Sequence, residues 1–580
     1  MTAHSGIFAL ASLDGAPLAP QNLRALGLPA TPGPLVAEAR DAAQPQAVHQ
    51  ARNAQGTTLL LGYFDAVEEL AKSLKLPPQT PTALLARAAL ARFGSELPNI
   101  ACGEWSLLQR EPHGALTLMS SAARRDLLFY AQRGSTVAVA PSVHALGRLD
   151  WVDRTISEEG FLTGVGNFRL REAFGEQTIL SGVRRVPPGG SVRFDGEGAR
   201  PERARTPDLP PRFTGTIHDG VDQALQLLQC IVAERLGRLP GAAALLSGGL
   251  DSALIGWLLA DANAQGKRLD FFCSVAPEAS GLPDELALAR KVADHLDLPV
   301  HGVAPDSEAS PYRPAVHRFV QGNGPVLGAR HYLYDALADG AAALGHTALF
   351  DGMFGELTVT GQMPLATPRL RLRQLARRML GRRDPWLVSD LPQIIRLAPR
   401  RFEQLSKSLK AEVSTNSRDE IHPASPQARW PFPPGEIMRT GPPTELLPGR
   451  LRVEYPFRDQ RLWRLFASFP ASFLEHCGLD RAPVRLMLSG RLPEAIRLQP
   501  KGIGFSPDYD LRLKRHAPAA RQRLAVFRKA QIDEWLDLAW LDATLGRIAV
   551  HGPQDVIEAQ SAQLTAMAAE FLLWWREGEV

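Results

Sequence analysis

Between Gly241 and Ala262 the chain reads GAAALLSGGLDSALIGWLLADA, an apolar run that breaks into Ser247-Gly248-Gly249-Leu250-Asp251-Ser252 and then resumes with helical spacing. The spacing predicts a buried parallel strand over Ala242 to Leu246. It predicts a helix over Ala253 to Ala262, with Leu254, Leu258, Leu259 and Ala262 along one side. A glycine turn from strand to helix implies an α/β layer fold, and it lies where open parallel sheets bind ligands, at the carboxyl ends of their strands. Gly248 and Gly249 let backbone N–H groups close on an anion. The helix N-terminus adds the positive end of its dipole, and Ser247 and Ser252 offer hydroxyl donors. The expected anion is a phosphate.

No GxxxxGK[ST] pattern occurs, so this is not the phosphate loop of kinases and GTPases. Asp251 inside an anion cradle would repel the ligand unless a metal intervenes. Mg²⁺ typically takes one or two carboxylates together with phosphate oxygens, so the six residues point to ATP and Mg²⁺. An ordinary glycine turn capped by Ser and Asp is the alternative.

The flanking segments extend the α/β pattern. VDQALQLLQCIVAERL, AAALL, ALIGWLLADA, DFFCSV and ELALARKVADHL alternate helix with strand, which predicts a doubly wound parallel sheet. Residues 1 to about 205 have a different texture: short apolar runs at Thr57 to Leu61, Ala115 to Met119 and Thr136 to Ala140, separated by Gly, Pro and Asp turns, predict a strand-rich domain. RARTPDLPPR, Arg203 to Arg212, reads as the linker between a domain at 1–205 and one at 206–580. A region rich in Arg and Pro, about 364–448, interrupts the second domain.

Charge and cysteine usage exclude several partners. The 65 basic and 61 acidic side chains leave a formal net charge of only +4, so no global field recruits nucleic acid or an anionic membrane. The four cysteines, Cys102, Cys230, Cys273 and Cys477, show no CxxC or metal-type spacing, which suits free thiols in a reducing cytoplasm. No apolar run reaches the roughly 20 residues needed to span a bilayer. A cytoplasmic protein is expected.

SGGLDS resembles the pyrophosphate loop of the asparagine synthetase family, and further segments carry the resemblance in order along the chain. LPDELALARKVADHLDLPVH, Leu282 to His301, resembles the family's acidic pair followed by a helix and a His. VEYPFRDQRLW, Val453 to Trp463, resembles its Glu-x-x-Pro-Phe-x-Asp segment, and LPEAIRLQPKGIGFSPD, Leu492 to Asp508, its late lysine segment. Upstream, ARRDLLFYA, VAVAPSVHALGRL and QTILSGVRRVPPGG resemble the family's glutaminase-type (Ntn-type) N-terminal domain.

The resemblance implies an adenylating ATP pyrophosphatase: a carboxylate is adenylated, pyrophosphate leaves, and an amine displaces AMP to form an amide. It implies that Ser247, Gly248, Gly249, Asp251 and Ser252 bind ATP, with Ser274 and Cys273 lining the adenine end through their backbone. Lys501 corresponds to the catalytic lysine. ALFDGMFGELTVTG, Ala348 to Gly361, resembles the Ser-Gly-x-Gly-x-Asp-Glu loop one residue short, so Glu356 or else Asp351 joins Asp251 on the metal. Glu454 corresponds to a relay glutamate and a candidate base, with an ion pair to Arg452 or Arg458 as the alternative. His301 is read as packing.

Two departures narrow the reaction. Glutamine-dependent members begin Cys-Gly-Ile-Phe after loss of Met, whereas this chain has Ser5 in HSGIFAL, preceded by Met1 to His4. The glutamine-holding Asn-Gly-Glu stretch is replaced by LLLGYFD, Leu59 to Asp65. A serine with no evident base is a poor nucleophile, so a degenerate glutaminase domain is expected. Where β-lactam synthetases place a relay tyrosine, this chain offers Met353 or Phe354. The cationic PRLRLRQLARRMLGRR, with Arg377, Arg378, Arg382 and Arg383, is followed by IIRLAPRRFEQLSKSLK; both suit a peptide chain, its leader or a leader peptidase, the alternative being a solvated helical face. The resemblance is therefore to the lasso-peptide macrolactam synthetase branch, acting on a precursor peptide with ATP and Mg²⁺. β-Lactam formation, ammonia-dependent asparagine synthesis and an RNA-directed role remain as alternatives.

Overall fold

In β1 (Gly6–Ser12) every residue is buried, which GIFALAS permits because it carries no charge. In this computed structural model, which describes residues 5–31, 33–123, 127–165, 176–203, 210–324, 328–361, 395–404, 451–500 and 506–577, β1 lies inside an antiparallel sheet. That sheet contains β2 (Leu35–Arg40), β7 (Phe129–Arg133), β8 (Thr136–Ala140) and β9 (Arg184–Arg185), in the order β2-β1-β8-β7-β9. A second antiparallel sheet is built from β3 (Val48–Asn53), β4 (Gly56–Phe64), β5 (Gly103–Arg110), β6 (Leu116–Ser120), β10 (Gly190–Asp195) and β11 (Gly198–Arg203), in the order β11-β10-β6-β5-β4-β3.

Alternation along each strand assigns its faces. Ile7, Ala9 and Ala11 enter the core between the sheets with Leu59, Leu61, Leu116, Leu118 and Val192. Phe8 and Leu10 point the other way, into a core shared with the C-terminal helices. The outer face of the second sheet is covered by helix α1 (Thr82–Phe93), whose Leu85, Ala86 and Ala89 meet Leu60, Phe64 and Trp105. The three predicted apolar runs fall on β4, β6 and β8.

From Ile217 the layering changes to helices around a parallel sheet. The strands are β12 (Gly241–Leu245), β13 (Arg268–Ser274), β14 (Val300–Val303), β15 (Ala348–Phe350) and β16 (Arg452–Glu454), in the order β14-β13-β12-β15-β16. On one side lie α2 (Ile217–Gly237), α3 (Leu250–Ala262), α4 (Leu286–His295) and α6 (Gln460–Ser468), packed with Ala242, Ala244 and Leu246. On the other lie α5 (His331–Ala343) and the C-terminal helices α7 (Tyr509–Lys529), α8 (Leu538–His551) and α9 (Val556–Glu577), in the core that holds Ala243, Leu245 and Leu349. This is the expected doubly wound sheet, and its strand order reverses between β12 and β15. Ligands of such sheets bind at that switch point.

Helix α3 starts at Leu250, three residues before the predicted start. Gly249 takes the cap position with an extended backbone (φ −67, ψ 159), so Asp251 and Ser252 enter the first turn, where the helix dipole favours an acid. Of the basic region at 364–448, residues 395–404 are described. There Leu397 bridges to Leu536, and the guanidinium groups of Arg396 and Arg401 stack 4.7 and 4.3 Å over Trp540 and Trp535. This part of the cationic stretch docks onto the C-terminal helices. Arg377, Arg378, Arg382 and Arg383 lie outside the described residues.

Candidate active site

The loop after β12 is braced by its own serines. The Ser252 hydroxyl accepts from the Ser247 N–H (3.2 Å) and donates to the Gly249 carbonyl (3.1 Å), and the Ser247 hydroxyl accepts from the Gly249 N–H (3.2 Å). Both hydroxyls therefore hold the loop's shape in addition to facing the cavity. Gly248 is required on two counts: its φ of +76 is left-handed, and a Cβ there would meet the Leu288 Cβ at 2.6 Å. The Gln499 side-chain amide donates to the Gly248 carbonyl, which ties the segment just before Lys501 to the loop. Lys501 itself lies outside the described residues.

A second loop, after β15, closes over Asp251. A Cβ on Gly352 would stand 3.0 Å from the Ser252 nitrogen, and one on Gly355 would strike the Asp251 carboxylate, so only glycine permits this approach. Between them Phe354 adopts a left-handed φ of 73. Burial, then the neighbouring Glu356 and Asp351, push the Asp251 carboxyl up to about 7, against the opposing pull of Thr360 and Arg481. Its Oδ1 is buried with no hydrogen-bond donor among the described residues. Asp351 is buried and its Oδ1 accepts from the Met353 N–H (3.0 Å), whereas Glu356 is exposed.

These loops enclose a cavity of about 430 Å³ lined by Ser247, Gly249, Asp251, Ser252, Asp351 and Met353, together with Arg330 and Tyr334 from the start of α5. A divalent cation fits here. It would give the orphaned Asp251 oxygen a partner and offset the burial and neighbouring carboxylates that raise its pKa. Asp351, which lines the cavity, is the better placed second ligand. Among the described residues no group of three or more His, Cys, Asp or Glu side chains is placed to hold a metal.

The asparagine synthase family profile matches residues 223–576, which is more than half of the chain and contains both loops. The chain belongs to the asparagine synthase family. Among solved structures, it is similar to glutamine phosphoribosylpyrophosphate amidotransferase from B. subtilis complexed with ADP and GMP. Identity is 10%, over 60% of this chain and 81% of that one, with a TM-score of 0.22. It is also similar to an allosteric regulatory enzyme of purine biosynthesis, at 11% identity over 64% and 78%, again with a TM-score of 0.22. At those scores neither likeness bears on fold or function. No curated protein matches the chain.

Other residues that the family resemblance singled out take structural places. Glu454, on β16, is not among the residues lining the cavity, and its carboxylate lies 3.5 Å from Arg235. Arg235 is 4% exposed and also faces Asp65 (3.5 Å), Glu104 (3.7 Å) and Asp459 (3.8 Å). Arg452 pairs with Asp41 at 2.9 Å, and Arg238 with Asp65 at 2.8 Å. A buried lattice of ion pairs thus joins the N-terminal sheets to β16. Burial would raise the Asp65 pKa, but the fields of Arg235, Arg238 and Arg461 outweigh it and hold the carboxyl below the usual range. Asp65 ends the LLLGYFD stretch, so β4 is followed at once by a carboxylate committed to arginines. The Ser5 hydroxyl accepts from the Ala42 N–H at 3.3 Å.

His301 donates through Nε2 to the Asp270 carboxylate (2.8 Å), which also accepts from His346 (2.7 Å), and it packs against Phe272. Asp284 of the acidic pair accepts from the Ala276 and Leu286 N–H groups, turning the chain into α4. Ser274 is buried at the end of β13, on the strand beside the loop, and does not line the cavity. Sequence reading missed Arg330 and Tyr334. Both belong to a helix start about 80 residues from the glycine loop, and no local pattern marks them.

Proposed function

We propose that this protein is an AMP-forming ligase that closes a peptide into a macrolactam, joining the peptide's N-terminal amine to an Asp or Glu side chain of the same chain. The family supplies the coarser reading, an ATP-dependent amide-forming ligase. The observation that carries the finer one is the state of the N-terminal domain. A serine replaces the cysteine and its hydroxyl accepts from a backbone amide, while Asp65 is bound to arginines. Such a chain makes no ammonia of its own, and an amine from the same substrate needs none. Positioning two ends of one molecule is worth roughly 7–11 kcal/mol.

The residues divide the work. The glycine loop and the first turn of α3 hold the pyrophosphate end of ATP, Asp251 with Asp351 holds Mg²⁺, and Lys501 stabilises charge on the carbonyl and phosphoryl oxygens. Mg²⁺, when bound, offsets phosphate charge during pyrophosphate release. Arg377, Arg378, Arg382 and Arg383 dock the peptide or its leader peptidase. Glu454 is read as a support: its carboxylate serves Arg235, and its carbonyl accepts the Asp351 N–H at 3.0 Å.

One observation favours a second reading. Tyr334 gives the cavity a phenol that the β15 loop lacks, so a β-lactam-type relay has a candidate member. The experiment is mass spectrometry of a leader-free peptide with ATP and Mg²⁺. Loss of one water with AMP release is expected, reduced on the order of 10²–10³ in Lys501→Ala. Turnover of free aspartate with ammonia, and of no peptide, would replace the proposal with asparagine synthesis.

A further inference from the structure

Glu104 belongs to β5 of the N-terminal region, yet it faces two arginines of the C-terminal one. Its carboxylate lies 3.7 Å from Arg235, on α2. Burial pulls the pKa of Arg458 down, and the field of Glu104 opposes that pull, so the two side chains are close. All three are buried. A carboxylate out of water is costly unless cations surround it, and Glu104 has them on two sides.

Each arginine leads to the loop after β15. Arg235 lies 3.5 Å from the Glu454 carboxylate, and the Glu454 carbonyl accepts the Asp351 N–H at 3.0 Å. Arg458, in the turn Pro456–Arg458 after β16, holds its guanidinium 5.6 Å from the ring centre of Phe354. The Tyr455 ring meets the same phenyl at 5.6 Å, almost perpendicular to it. Phe354 is the residue with the left-handed φ of 73, between Gly352 and Gly355, the glycines that approach Ser252 and Asp251. A bulky side chain keeps that backbone conformation only where its surroundings over-determine it. A ring buried against a cation and a second ring is held in that way.

We propose that Glu104 is a positioning residue for the metal-binding loop, acting through Arg235 on Asp351 and through Arg458 on Phe354. This rests on the reading of Asp251 and Asp351 as the metal ligands. It gives the N-terminal domain a role that needs no glutaminase chemistry: its second sheet carries a negative charge into the wall behind the loop. Arg235 and Arg458 repel each other, and Glu104 lies between their fields. Without its charge the two guanidinium groups are less neutralised, and the strain is relieved by movement of the turn after β16 or of the ring that the turn holds. Either movement shifts Gly355 against Asp251 and loosens the two carboxylates that face the ion.

The test is calorimetric binding of α,β-methylene-ATP to the full chain, once with Mg²⁺ and once with the metal chelated, so that the ratio of the two affinities reads the metal site. Glu104→Gln is expected to lower that ratio about 3–10-fold, as for a change within a coupled network, with the metal-free affinity within about twofold of wild type. Phe354→Leu, at the loop end of the same contact, should lower the ratio likewise, and it is read in place of Glu104→Gln should that variant not fold. Glu111→Gln removes an acid that pairs with Arg193 at 2.6 Å just past the other end of β5, and it should change neither affinity. Retained metal-free affinity shows that a variant is folded. A wild-type ratio in Glu104→Gln or in Phe354→Leu, equal losses with and without metal, or the same loss in Glu111→Gln overturns the proposal and leaves the metal reading intact. A wild-type chain whose affinity is indifferent to Mg²⁺ overturns both.

Discussion

Asp251→Asn should make the ligand-free protein more stable while disabling it. The carboxyl sits at about 7, against an ordinary 3.8, because it is desolvated beside Glu356 and Asp351. The folded state thus binds the proton more tightly than the unfolded chain does. Stability from this group is complete below 3.8 and is lost as pH rises through about 7. The shift corresponds to about 4 kcal/mol at most above that pH. Water beside a partly exposed carboxylate lowers this to on the order of 1–2 kcal/mol. Asparagine keeps the shape and removes the charge, so at about pH 8 the variant should melt higher than wild type, and the gap should close towards about pH 5. With Mg²⁺ and ATP the order reverses: wild type is raised by ligand linkage and the variant is not. Thermal melts at both pH values, with and without ligand, decide it. A variant that melts lower at about pH 8, or that keeps the wild-type pH slope, would refute a desolvated, ionised Asp251 as the source of that pH dependence.

Gly355→Ala should act on the same carboxylate by steric means, displacing Asp251 and abolishing Mg²⁺-dependent ATP protection in the same melts. Asp65→Ala strands Arg238 and weakens the neutralisation of Arg235, and should cost about 3–5 kcal/mol, read as a lower denaturant midpoint. Because the Asp65 carboxyl is held below the usual range, its contribution is present at neutral pH and is lost only in acid. Glu454→Gln should lower stability by about 1–3 kcal/mol while leaving the pH profile of product formation unchanged; a displaced profile would restore Glu454 as a base.

The sequence by itself determined the local chemistry of this protein. A strand, a glycine turn and a helix start lie within 22 consecutive residues, so periodicity and turn chemistry were enough to place the loop between β12 and α3 and to pick out Asp251. The strand-rich first region and the wound second region were legible for the same reason, because hydrophobic spacing is a short-range signal. What lies across the cavity was decided only in three dimensions. Arg330 shares the cavity with Asp251 because β12 and β13 are neighbours in the sheet and α5 packs beside them, and its guanidinium stacks on Tyr509, itself bonded to Gln563, both more than 170 residues further along. Glu454 sits in a recognisable motif, yet its partner Arg235 lies 219 positions away on α2. An ion pair of that kind has no sequence pattern, since Coulomb's law acts on distance in space and only the packing of one layer on another sets that distance.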